Sequence, residues 1–84
     1  MTTTIVNRTQ TGVRIETSLL KVLKGLAEYT DLSLGDLLEG IVLHSFEGKA
    51  PFSAETRKAI VQLKAVYGCD LNAGDSHQLV ESDS

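Results

Sequence analysis

A single cysteine, Cys69, stands in a chain of 84 residues. One thiol excludes an internal disulfide and any zinc site built from paired cysteines. No run of roughly 18 apolar residues occurs, so no stretch is long enough to cross a bilayer as a helix. The opening "MTTTIVNRTQ" lacks the basic region and apolar stretch of a secretory signal. Neither a glycine-rich phosphate loop after a strand nor a paired-acid motif is present. Gly35, Gly40 and Gly48 are isolated, which fits helix packing or termination better than cofactor contact. These absences point away from an enzyme and from any cofactor. A free thiol without a signal points to the cytoplasm.

What the chain has is one small domain's worth of residues and an uneven charge. A domain of this size buries roughly 60–65% of its unfolded surface, so its core is marginal without staples or association. The net charge of −3 conceals a split. Residues 1–25 carry Arg8, Arg14, Lys21 and Lys24 against Glu16 alone, while the remainder has four basic and ten acidic side chains. A basic N-terminal arm on an acidic body presents one face to an anion.

The pattern divides the chain into a flexible arm over 1–10, a strand and two helices over 11–47, a helical extension over 48–70, and an acidic, flexible and at best loosely docked tail over 71–84. In "TGVRIE", Val13 and Ile15 alternate with Gly12, Arg14 and Glu16, the period of a strand with one buried face. Thr17 and Ser18 are natural starters for the first helix, whose stripe is Leu19, Val22, Leu23, Leu26 and Ala27. Gly25 weakens that helix by about 1 kcal/mol relative to alanine, and a tight approach by another backbone would explain its presence. Asp31 suits the left-handed turn that ends it. Ser33, followed by Asp36, starts a second helix with the stripe Leu34, Leu37, Leu38, Ile41, Val42 and Phe46. Being apolar over more than half its circumference, this helix is expected at the centre of the core. Gly48 and Pro51 stop it. Ser53 caps a third helix, in which Ile60, Leu63 and Tyr67 share a face, and Gly68 closes it. Phe52, just before that cap, is placed to pack back as a staple on Arg57 or Ala59.

No second strand of comparable quality exists, and a lone strand leaves its backbone groups unpaired. The simplest remedy is a second copy, with two strands pairing antiparallel about a two-fold axis. On that reading the protomer is not stably folded alone.

The segment "VRIETSLLKVLKGLAEYTDLSLGDLLEGIVLHSF" resembles the ribbon-helix-helix superfamily of bacterial and phage repressors in its strand, helix, short turn and helix. The resemblance covers residues 11–46, and the third helix lies outside the minimal family fold. It implies a mainly α homodimer whose strand pair lies in the DNA major groove. The outward strand positions Gln10, Gly12 and Arg14 are then the base contacts; arginine is suited to guanine and glutamine to adenine. The start of the second helix, Ser33 and Leu34, grips a phosphate. Arg8, Lys21 and Lys24 add backbone contacts. Val13, Ile15, Leu23, Leu38 and Ile41 form the dimer interface. Three features depart from this pattern: Gly12 has no side chain to read with, Asp31 replaces the glycine common in the family's turn, and Asp36 sits beside the phosphate position. The overall acidity also opposes DNA binding.

Two further readings stand beside it. One is a protein-interaction module, antitoxin-like or for dimerisation only, working through the acidic C-terminal portion. The other is a monomeric helical domain with a disordered arm. His44 reads as a partly buried or dipole-complementing residue of the second helix. "DSH" around His77 is a sequence neighbourhood, whereas a triad is defined by geometry. Cys69, His44 and His77 lack paired ligand spacing, so no metal site is expected.

Overall fold

The computed structural model describes residues 3–82; the outermost residues of the expected arm and of the acidic tail fall outside that range. Three helices follow one another: α1 (Thr17–Thr30), α2 (Leu34–Phe46) and α3 (Ala54–Tyr67). A short 3₁₀ turn, Ala73–Asp75, comes after them. The chain is therefore mainly α.

Local chemistry accounts for the boundaries. Ser33 and Ser53 accept from the backbone N–H groups of Asp36 and Thr56, satisfying free donors of α2 and α3. At α1 the cap is Glu16, not Thr17 or Ser18. Its carboxylate accepts from the Leu19 N–H at 2.9 Å and from the Ser18 hydroxyl at 2.6 Å. All three helices close in the same way. A left-handed residue stands at each C-terminal end, and the N–H of the residue after it reaches back five residues: Leu32 to Ala27, Lys49 to His44, and Cys69 to Lys64. Gly48 and Gly68 supply the positive φ in two of these turns, and Asp31, at φ 58°, in the other.

Residues 11–16 are not a strand, and among the described residues there is no sheet at all. Val13 is 72% exposed and only Ile15 is half-buried, so the alternation has no buried face to serve. The physical reason lies in both neighbours of the run. The described residues offer no second strand to pair with it, and Glu16 is drawn into capping α1. The expected ribbon is thus a largely solvent-exposed arm without regular secondary structure.

The core is small. Val22, Leu26, Ala27, Leu37 and Cys69 are buried, and Leu23, Ile41, Phe52, Ile60 and Leu63 pack around Leu26, Ala27 and Leu37. Phe52 thus turns onto the main cluster, which differs from the expected staple on Arg57 or Ala59. The centre of the core is α1, not α2: α1 supplies three buried residues and α2 only Leu37. Gly25 explains how α3 reaches α1. A β-carbon there would stand 3.0 Å from Leu63 Cδ2 and 3.5 Å from Tyr67 Cε2. The close neighbour is a pair of side chains, not a backbone.

Candidate functional site: the arm and the outer face of α2

Two surfaces stand out against this core. The first is the N-terminal arm. Residues 3–14 are all exposed, so burial does not hold it in place. It runs alongside the start of α2, enclosing a groove of about 1230 Å³ lined by arm residues together with Leu20, Ser33, Leu34, Leu38 and Glu39. Charge fixes it there. Arg8 donates from Nε and Nη2 to the two carboxylate oxygens of Glu39, at 2.9 and 2.8 Å. This fork raises the Arg8 pKa and lowers that of Glu39 below the usual carboxylate range. Arg14 is paired with Glu81 of the C-terminal segment.

That C-terminal segment is less loose than its composition implies. Cys69 is buried, Lys64 Nζ donates to the Leu71 carbonyl, and Asn72 and Asp75 cap the 3₁₀ turn reciprocally. A cleft of about 370 Å³ lies between this segment and the helices, where Leu19, Leu23 and Leu26 of α1 and Ile60 of α3 face Leu71 and Leu79 of the segment.

The second surface is the outer side of α2. Gly35, Glu39, Val42, Leu43 and Phe46 are exposed at helical spacing. Phe46 is 81% and Leu43 61% exposed, with Val42 beside them. The expectation that the whole stripe is internal therefore fails. Leu37 is buried, Leu34, Leu38 and Ile41 are half-buried, and the C-terminal half of the helix faces outward. From Gly40 to Phe46 the sequence "GIVLHSF" holds no Asp, Glu, Lys or Arg. His44 is exposed and its Nδ1 lies 2.7 Å from the Gly40 carbonyl, so the expected partial burial is not found.

The sequence-predicted site residues are thus distributed over several surroundings. Gln10, Gly12 and Arg14 are exposed on the arm. Ser33 is the α2 cap with Leu34 half-buried behind it, and Arg8 is held by Glu39. Lys21 and Lys24 stand exposed on α1, outside the ion pairs among the described residues. Of the interface set, Leu23 and Ile41 pack on the protomer's own core, Leu38 and Ile15 border the groove under the arm, and Val13 is exposed. Leu43 was not in that set, although its place beside Val42 and Phe46 on a nearly apolar helix was the available signal. Among the described residues, no group of three or more His, Cys, Asp and Glu side chains is placed to hold a metal ion, and no helix is long and apolar enough to cross a membrane.

No family model, no curated protein and no solved structure matches this chain.

Proposed function

We propose that this chain is a self-associating interaction module, a homodimer formed through the outer face of α2 and working in the cytoplasm without catalytic chemistry. The supporting observation is the exposed cluster Val42, Leu43 and Phe46 on a stretch without formal charge. A two-fold contact sets a patch against its own copy, so a charge close to the axis meets a like charge. On an acidic molecule an uncharged apolar patch is therefore the surface that tolerates a second copy best. The small core supplies the need for it.

Each apolar side chain moved from water into a contact contributes about 1.5–3 kcal/mol. Association costs ~4–15 kcal/mol, comparable with what three partly exposed side chains from each copy supply, so the dimer is a weak one that dissociates on dilution. Leu43→Glu or Phe46→Glu places like charges across the axis. The expected result is a unfolding midpoint that rises with protein concentration in the wild type and does not in these variants. A wild-type midpoint independent of concentration removes this reading.

A second reading has its own observation: the arm is basic and exposed, with Gln10 and Arg14 accessible on it and Lys21 and Lys24 accessible on α1. On this reading the dimer is a DNA-binding transcriptional regulator whose arms contact the duplex as flexible segments, without a sheet. Mobility-shift measurements at low salt test it. Retention of a duplex that weakens in Arg14→Ala supports it, and no retention removes it.

A further inference from the structure

The arm contains two arginines within the described residues, and each meets a carboxylate from a distant part of the chain. Glu39, on α2, is 31 positions from Arg8, and Glu81, near the C-terminus, is 67 from Arg14. We propose that these two carboxylates are intramolecular stand-ins for the phosphates of duplex DNA, and that DNA engages the arm by displacing them; the inference rests on the DNA-binding reading above.

The argument begins with geometry. A guanidinium binds carboxylate and phosphate through the same planar fork, and Arg8 already presents that fork to both oxygens of Glu39. Exposure comes next. The paired side chains are 65% and 45% exposed at Arg8–Glu39, and 83% and 70% at Arg14–Glu81. Ion pairs this open to water are screened and contribute little, so a polyanion offering several phosphates outcompetes them. Burial adds little to these pairs, since residues 3–14 are all exposed. Exchange of partner leaves the arginines charge-compensated at every stage. It also frees the arm from α2 and from the C-terminal segment together. The acidic end of the chain thereby sets the threshold for DNA binding by the basic end.

The test is fluorescence anisotropy of a labelled duplex of about 30 base pairs in about 50 mM salt, with the full-length chain. Four proteins are compared: wild type, Glu39→Gln/Glu81→Gln, a charge-matched control Glu28→Gln/Glu55→Gln, and the first pair combined with Arg8→Ala/Arg14→Ala. Circular dichroism verifies that each is folded. The expected result is about tenfold tighter binding for Glu39→Gln/Glu81→Gln, about twofold or less for the control, and loss of the gain when the arginines are removed. Equal gains in both double variants reduce the effect to net charge and overturn the inference. Wild-type binding that is unchanged in Glu39→Gln/Glu81→Gln overturns it while leaving the DNA-binding reading intact. If none of the four retains the duplex, both are overturned.

Discussion

Glu16 shows how one residue can redirect a segment. In the sequence it occupies the outward position of an alternating run; in the structure it caps α1 through its own carboxylate. Hydrogen bonds from the Ser18 hydroxyl and the Leu19 N–H lower its pKa below the usual glutamate value. A carboxyl depressed on folding contributes stability that is complete above its unfolded pKa, about 4.3, and is lost as pH falls through the lower folded value. Glu39, depressed by Arg8, acts in the same direction. Unfolding midpoints are therefore expected to fall as pH drops below about 4.3, with a shallower fall in Glu16→Gln, whose amide oxygen still caps but does not titrate there. Asp31 offers a complementary test. It holds a left-handed conformation that glycine adopts freely, and its carboxylate lies at the negative end of the α1 dipole. Asp31→Gly should raise stability by about 0.5–1 kcal/mol in urea titration. At Gly25 the opposite is expected. Gly25→Val drives methyl groups into Leu63 and Tyr67 and should cost about 1–3 kcal/mol by the same measurement.

At the scale of elements, helices and their ends were the most legible part of the sequence. Ser33, Ser53, Gly48, Gly68 and Asp31 carry local signals, because a cap depends on a few neighbouring atoms. Which helix face is internal depends on distant partners and was read less well. The stripe on α2 told that much of the helix is apolar, but not that Phe52 and α3 would cover α1 first and leave Val42, Leu43 and Phe46 outside. The strand failed for a related reason. Alternation over six residues specifies a face, whereas a ladder requires a second backbone, and among the described residues the arm's arginines pair with Glu39 and Glu81. Those two pairings were illegible because residues 31 and 67 positions apart share no local pattern.

For the whole molecule, the radius of gyration is 14.3 Å, against about 12 Å for a compact chain of this length. The excess reflects an arm held by charge and a helix that shares little of its apolar surface with the core. On the proposed reading, such a protomer is half of a folding problem, and a second copy supplies apolar contacts to α2. Sedimentation of the wild-type chain over a dilution series from about 100 to 0.1 μM, a window suited to a weak dimer, tests this most directly. Twice the chain mass of 9.1 kDa at the concentrated end, falling toward a single mass on dilution, is the predicted behaviour. One unchanging mass of 9.1 kDa throughout, in a chain that remains folded, would contradict it.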